Sequence, residues 1–441
     1  MFEPQTLAIL MLASFFLLLM VGIPVAITLA VTGFVFGYFG FGTMLFNLLP
    51  ARIYGVVTGY QWLAIPLFIF MGLALEKSKL ADDLLDVIGH IAGGLRGGMA
   101  IGIVLFGALM GATTGIVGAT VITLGMLTLP SLLRRGYDKS IACGTICASG
   151  TLGQIMPPSL ILILLSDIMQ TSVGTLFAAA VMPALVLATV YVIYLLVLGM
   201  IKPDAMPPVP KEERSTVATG ELWIRFWKVV VPPIMLVVAV LGSIVGGVAA
   251  PTEAASMGAL GAILLTIVAG RFSWANLKAV TFDTAKLTGV MMFILMMAQV
   301  FALAFRGLQG EELIEDMFEW LPGGLYSDIW FMLFLIFVLG FFIEWIEISY
   351  IAVPLFLPVL LAQGADPVWV AIMVTVCLQS SFLTPPFGWA LFYLKGVAPP
   401  DVPITAIYKG VIPFILMQIV ALALVVYFPG LALWLPKAIG W

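Results

Sequence analysis

Apolar runs of roughly 18–25 residues recur along this chain, each long enough to cross a hydrocarbon core of about 30 Å. Short polar or glycine- and proline-rich segments separate them. The pattern predicts helices near 6–20, 24–39 and 62–75, an amphipathic stretch at 78–95, and apolar segments at 99–113 and 116–133. An interrupted helix over 137–168 and a helix over 174–201 follow. After a polar, proline-rich stretch at 202–221 the order returns, with helices near 225–247, 252–270 and 284–305 and an acidic amphipathic stretch at 308–320. Apolar segments at 328–342 and 347–361, an interrupted helix over 366–395 and a last helix over 404–428 complete the chain. Strands of a membrane barrel would alternate over about ten residues, and these segments do not.

The recurrence is in register. Pro130, Gly136, Asp138 and Pro157-Pro158 return as Pro358, Gly364, Asp366 and Pro385-Pro386, so 358 − 130, 364 − 136, 366 − 138 and 385 − 157 all equal 228. Two halves with matching Gly/Pro interruptions inside apolar segments are the sequence mark of a secondary transporter built from internal repeats. The chain divides into a first repeat (1–201), a linker (202–221) and a second repeat (222–441). Each repeat holds a hairpin (99–133, 328–361) and an interrupted helix (137–168, 366–395).

With 62% apolar and 10% charged residues and a mean hydropathy of +1.18, the class is an all-α polytopic membrane protein. Glu3 precedes the first apolar run without a basic n-region, so that run reads as a span and not a cleaved leader. Cys143, Cys147 and Cys377 lie in apolar stretches with no disulfide or zinc spacing and read as small packing residues. His90 reads as an interfacial or packing residue. A net charge of −4 and no basic cluster give no reason to expect nucleic acid.

Charge orients the repeats. The turn Arg134-Arg135-Gly136-Tyr137-Asp138-Lys139 carries three cations, and its twin Ala362-Gln363-Gly364-Ala365-Asp366-Pro367 carries none. Basic loops stay cytoplasmic, so matching turns fall on opposite sides and the repeats are inverted. Threading the chain with hairpins that dip in and return leaves only Arg52, Arg306 and Lys437 of the 19 Lys and Arg outside, and 19 − 3 = 16 inside. Such a hairpin needs protein or water around its tip.

Four polar stretches then fall at membrane depth: 111–120 and 344–349 at the hairpin tips, and 147–154 and 377–384 before the double prolines. Each proline pair removes backbone donors and bars the preceding residue from helical geometry, so the helix breaks. Freed carbonyls with Ser/Thr hydroxyls suit a dehydrated Na⁺, and half-helix N-termini suit a carboxylate. The Na⁺ candidates are Gly111, Gly118, Ser149, Gly150, Thr151, Glu344, Gln379, Ser380 and Thr384. Those for a small carboxylate substrate are Thr113, Thr114, Gly115, Ser159, Glu347, Ser349, Ser381 and Phe387. Pro157, Pro158, Pro385 and Pro386 make the breaks.

Plainer readings stand beside these. Gly111 and Gly115 fit a small-xxx-small packing face, and any single Ser or Thr here fits back-bonding within its own helix. Glu344 and Glu347 fit interfacial or protonated acids, although a carboxylate at membrane depth costs about 2.5–3.5 kcal/mol and so points first to function. Glu76, Lys77 and Lys79 read as interfacial charges, and 291–297 as a packing surface. No phosphate loop is present, so the chain does not itself hydrolyse ATP. One histidine leaves no nucleophile–base set, so an enzyme is not expected.

At these residues the chain resembles the large membrane subunit of tripartite ATP-independent periplasmic (TRAP) transporters. The most specific matches are Leu129-Pro130-Ser131-Leu132-Leu133-Arg134-Arg135-Gly136-Tyr137-Asp138, Gly153-Gln154-Ile155-Met156-Pro157-Pro158-Ser159 and Leu383-Thr384-Pro385-Pro386-Phe387-Gly388. The resemblance implies an elevator-type fold in the bacterial inner membrane. Both hairpins and both interrupted helices would move against a scaffold that includes a small membrane subunit, expected here as a separate chain. It also implies delivery of an organic acid by an extracytoplasmic substrate-binding protein and uptake driven by Na⁺. Many family members carry aspartate at the position of Glu344 and no acid at that of Glu347. Gly340-Phe341-Phe342-Ile343-Glu344-Trp345-Ile346-Glu347, with Phe305-Arg306-Gly307-Leu308 upstream, is similar to a subgroup linked to 2-oxo acids and related monocarboxylates. A stand-alone Na⁺/anion symporter is the alternative, and a channel or polytopic enzyme a third class.

Overall fold

The computed structural model describes residues 3–78, 87, 90–210, 219–319 and 322–441. Most of the expected amphipathic stretch at 78–95 and part of the 202–221 linker lie outside these residues. Regular structure among the described residues is helical throughout. The first half contains α1 (Pro4–Met20), α2 (Val25–Phe41), α3 (Met44–Thr58), α4 (Ala64–Lys77), α5 (Gly98–Thr114), α6 (Val117–Arg134), α7 (Lys139–Thr151), α8 (Leu160–Ile168) and α9 (Val173–Ile201). The second contains α10 (Thr219–Val229), α11 (Val231–Val245), α12 (Pro251–Val268), α13 (Trp274–Gly307), α14 (Gly310–Glu319) and α15 (Leu325–Leu339). It continues with α16 (Trp345–Ala362), α17 (Pro367–Leu383), α18 (Trp389–Val397), α19 (Ile404–Tyr427) and α20 (Gly430–Ala438).

Among the described residues, 7 helices are long and apolar enough to cross a membrane, or 8 if α3 and α4, bent by 47° at Gly59, count as one span. Helices α3 and α20 go beyond the hydropathy reading, because Pro50 and Pro436 inside them mimic stops. Helix α13 starts ten residues before the expected 284, since its first turns carry Asn276, Lys278 and Asp283 on an exposed face.

The helices recur in the 228-residue register. Subtracting 228 from α11, α12 and α13 gives 3–17, 23–40 and 46–79, the places of α1, α2 and the α3–α4 pair. The recurring Gly and Asp now have local causes. Gly136 (φ +82°) and Gly364 (φ +89°) close the hairpin exit helices α6 and α16 in a left-handed conformation that glycine takes without strain. Asp138 Oδ1 accepts from the Ser140 and Ile141 amides at 2.9 and 3.1 Å, and Asp366 Oδ1 from Val368 and Trp369 at 2.8 and 3.4 Å. Both are N-caps of the interrupted helices. Beside the first cap, Lys139 Nζ lies 2.8 Å from Asp401 Oδ2. That bond holds the exposed Asp401 carboxyl below its usual range, so the tie is present at neutral pH and lost as pH falls through the lowered range.

Packing between the halves is reciprocal. Helix α2 packs on α13 and α12 on α4, which is one contact made twice with the halves exchanged. A Cβ on Gly33 would lie 3.0 Å from the backbone of Val300 and Phe301, and one on Gly258 2.7 Å from Met71 Sδ. Likewise α18 packs on α6 and α8 on α16, so each post-break half-helix rests on the other half's hairpin. Contacts that survive exchange of the two partners define a two-fold relation. Helices α7 and α19 touch backbone to backbone: a Cβ on Gly144 would lie 2.0 Å from Gly410 O. Helix α4 is tied at both ends to the hairpin and break elements. Gln61, at the bend before it, donates to Asp167 at the end of α8. At its other end Glu76 Oε1 accepts from Thr123 Oγ1 of α6 at 2.8 Å.

Candidate functional site

Both interrupted helices break at their double prolines. Helix α7 ends at Thr151 and passes through a single 3-10 turn (Leu152–Gln154); Ser159 is extended (φ −116°), and α8 starts at Leu160. Helix α17 ends at Leu383, Thr384 is extended (φ −90°), and α18 starts at Trp389. The Pro157-Pro158 and Pro385-Pro386 bonds are cis. Residues 368–383 are buried without exception, whereas the break that follows is half-buried at Thr384 and Pro385 and exposed at Pro386 and Phe387.

The hairpin tips sit on these breaks. The first tip turns at Gly115 (φ +61°), whose amide donates to Gly111 O at 2.9 Å. A Cβ on Gly111 would stand 2.2 Å from Gly153 Cα, and one on Gly115 3.1 Å from Leu160 Cγ. The packing and site readings of Gly111 therefore describe one contact: the tip lies against the break because neither glycine has a side chain. At the second tip a Cβ on Gly340 would stand 2.1 Å from Ser381 Oγ. Tyr393, one helical turn past Trp389 on α18, joins the two tips. A Cβ on Gly118 would lie 3.1 Å from its ring, and its hydroxyl faces the Glu344 carboxylate.

Most of the candidate hydroxyls back-bond, as the plainer reading has it. Thr113, Ser149, Thr151, Ser349, Ser380, Ser381 and Thr384 donate to carbonyls three or four residues earlier at 2.6–2.9 Å. Ser159 instead spans its break and donates to Gln154 O at 2.5 Å. A hydroxyl that donates keeps its lone pairs, so back-bonding leaves each one able to face a cation.

The side-chain amides differ. Gln154 and Gln379 are 2% and 0% exposed, and neither the Oε1 nor the Nε2 of either has a hydrogen-bond partner. Glu347, 3% exposed, has no partner at Oε2. Leaving a buried polar group unmet costs about 1–3 kcal/mol, so such atoms mark where a ligand, ion or water belongs. Among the described residues no three His, Cys, Asp or Glu side chains gather. The donors at the breaks are hydroxyl, amide and backbone oxygens with Glu344 and Glu347, a hard-oxygen set suited to a group 1 or 2 cation. Amide N–H groups and the N-termini of α8 and α18 suit an anion.

Not every candidate reaches this centre. Gly150 packs on Val121, with a Cβ there only 2.3 Å from Val121 Cγ2, so it serves close contact between α7 and α6. Ser149 lies against Gly107, about two turns of helix before the tip turns at Gly115. Phe387 is 47% exposed and rests on Phe342 at 5.7 Å, at the margin of the site. Thr114 ends α5 beside the turn. In strict register Gln379 pairs with Thr151, since 379 − 151 = 228; Gln154 lies in the polar stretch 147–154 but is not among the candidates. Its place three residues before Pro157 was the available signal. Tyr393 carried no signal beyond its one-turn spacing from Trp389.

Over residues 12–431 the chain matches the family described as the tripartite ATP-independent periplasmic transporter, DctM component. It is 30% identical over 397 residues to the C4-dicarboxylate TRAP transporter large permease protein DctM of Pseudomonas aeruginosa, covering 89% of this chain and 90% of that one. Identity to the ectoine TRAP transporter large permease protein TeaC of Halomonas elongata is 28%, covering 97% and 98%. Identity to the sialic acid TRAP transporter large permease protein SiaM of Vibrio cholerae is 27%, covering 95% and 96%. Among solved structures, the Alcanivorax borkumensis YdaH transporter has the same fold, with a TM-score of 0.60 over 90% of this chain and 89% of that one at 12% identity.

Proposed function

We propose a function from one premise: this chain belongs to the DctM component family of tripartite ATP-independent periplasmic transporters. It is a multi-pass protein of the bacterial inner membrane and a transporter component, not an enzyme. In our reading it takes up a small carboxylate with Na⁺, together with a small membrane subunit and an extracytoplasmic substrate-binding protein. The observation that carries this reading is the pair of unpartnered amides, Gln154 and Gln379, one at each break. They offer oxygens to a cation and N–H groups to a carboxylate in a core that supplies neither with a partner. The solutes named for the relatives, a C4-dicarboxylate, ectoine and sialic acid, share a carboxylate. Glu347, buried close to Glu344, adds an acid at the second tip. The resemblance of 340–347 to the subgroup linked to 2-oxo acids makes a monocarboxylate the favoured solute.

The reading makes α5–α8 and α15–α18 one moving body and α1–α4 with α11–α13 its frame. The bonds from Gln61 to Asp167 and from Thr123 to Glu76 are where the two would part. The basic turn at Arg134-Arg135 supports opposite orientations of the two halves. Coupling follows if a half-filled cage resists movement, since uncompensated charge in a dry core is costly to carry.

Uptake by the assembled transporter in proteoliposomes is expected to fall at least about 10-fold without an inward Na⁺ gradient. Ser380→Ala is expected to raise the Na⁺ concentration for half-maximal uptake by about 10-fold, the loss of one charge-assisted contact, and Ser149→Ala, away from the centre, to leave it unchanged. Affinity for the binding protein should stay unchanged. Uptake indifferent to Na⁺ would refute the coupling, and uptake by this chain without the binding protein would establish the stand-alone symporter instead.

A further inference from the structure

The two halves repeat each other in their caps, breaks and glycine turns, so a contact found in one half alone is not imposed by the fold. Tyr393 makes such a contact. Half-buried on α18, it brings the hydroxyl end of its ring to both hairpin tips. A Cβ on Gly118, in the first turn of α6, would lie 3.1 Å from Cε2 and from Cζ, the carbon that carries the hydroxyl. The hydroxyl itself faces the Glu344 carboxylate. Glu344 is the N-cap of α16, yet its side chain makes no capping bond, so the carboxylate serves Tyr393 and not its own helix. In strict register the twins of Tyr393, Glu344 and Gly118 are Leu165, Ile116 and Ile346, since 393 − 165, 344 − 116 and 346 − 118 all equal 228. None of the three has a polar side chain, so the polar link exists once.

The ring is held where it can pass a movement on. Trp389 lies 6.4 Å from it, one turn back on the same helix. Helix α18 meets α6 again at Gly125, where a Cβ would lie 2.8 Å from Leu394 Cδ1 and 2.9 Å from Val397 Cγ2. A phenol hydroxyl turns only about the ring axis, so its oxygen goes where the ring goes. A Glu344 carboxylate that shifts toward a cation must draw the ring along or release it, and either changes what presses on Gly118. Glycine there leaves the backbone of α6 open to that movement. We propose that Tyr393 is a positioning residue that carries Na⁺ occupancy at the second tip to the first. This rests on the Na⁺ reading above and adds how the two tips respond together. Linkage is reciprocal, so a solute held at the first tip tightens Na⁺ at the second through the same ring.

Maleimide labelling and thermal melting of the purified complex test this together, with a cysteine placed at the first tip by Ala119→Cys. Residue 119 is half-buried and the native Cys143, Cys147 and Cys377 are buried, so the reagent reports the tip. Replacing K⁺ by Na⁺ is expected to slow labelling by about 10-fold, a usual size for coupling between two sites. Tyr393→Phe keeps the ring against Gly118 and Trp389 and removes only the hydroxyl. In that background the Na⁺ effect on labelling should shrink to less than about 2-fold, while Na⁺ still raises the melting temperature because the ion's own ligands remain. A side chain that served packing alone would leave the phenylalanine variant like wild type. Na⁺ that stabilises the Tyr393 protein without slowing its labelling, or an undiminished Na⁺ effect in Y393F, overturns the proposal and leaves Na⁺ binding standing. Na⁺ that moves neither labelling nor melting of the Tyr393 protein overturns the Na⁺ reading, and this proposal with it.

Discussion

Replacing Gln379 by leucine is expected to cut uptake by about 10–100-fold and, at the same time, to make the substrate-free protein more heat-stable. The two effects have opposite signs for a physical reason. The Gln379 amide is fully buried and its oxygen and nitrogen meet no protein partner. Holding it there costs about 1–3 kcal/mol. Leucine has nearly the same reach and no polar atom, so it fills the space without that cost. If the amide contacts an ion or solute during transport, losing that contact removes about 1.5–3 kcal/mol, which is about 10–100-fold. Na⁺ should then raise the melting temperature of wild type and leave the variant unmoved, since only a bound ligand stabilises. Gln154→Leu should behave alike. A glutamine with a purely structural role would not separate the readouts, and wild-type uptake by the leucine variant would end its candidacy as a ligand.

Gly153→Val should be nearly as damaging, through shape alone. A Cβ at Gly153 would lie 2.5 Å from Gly111 Cα and 3.1 Å from Gly111 C, atoms of the opposing backbone that have no rotamer to escape into. The first tip must lift off its break, at a cost of about 1–3 kcal/mol for overpacking. Uptake is expected to drop about 100-fold, with a melting temperature below that of wild type. Gly40→Ala in α2 is the matched control. There the obstacle at 2.5 Å is Leu308 Cδ2, the end of a side chain that rotates aside, so a loss of less than about 10-fold is expected. Measuring uptake and melting for both variants decides the matter. Equal losses would mean that the backbone-to-backbone contact has no special part.

Much of this architecture is legible because prolines and glycines act where they stand. Pro157-Pro158 and Pro385-Pro386 break their helices whatever surrounds them. The matching Gly136 and Gly364 turns need only local geometry, and so do the Asp138 and Asp366 caps. Those four residues recur because two helices start the same way, and they reach the site only through the elements they place. What the sequence hid depends on distance. That Tyr393 meets Gly118 and Glu344 together depends on contacts no local spacing records. Gln379 stands among the Na⁺ candidates, but Gln154 does not, and the 228-residue register pairs Gln379 with Thr151 instead.

The reciprocal packing of the frame sets a timetable for synthesis. Helix α2 finds its partner at Val300 and Phe301, some 300 − 33 = 267 residues after Gly33 has left the ribosome. At about 5–20 residues per second that interval is roughly 13–50 s. For all of it, the small-residue face of α2 and the flank of α4 that α12 will cover have only lipid or the insertion machinery against them. The first half enters the membrane unfinished, and each frame helix of the second half, as it arrives, closes a surface that has been waiting for it.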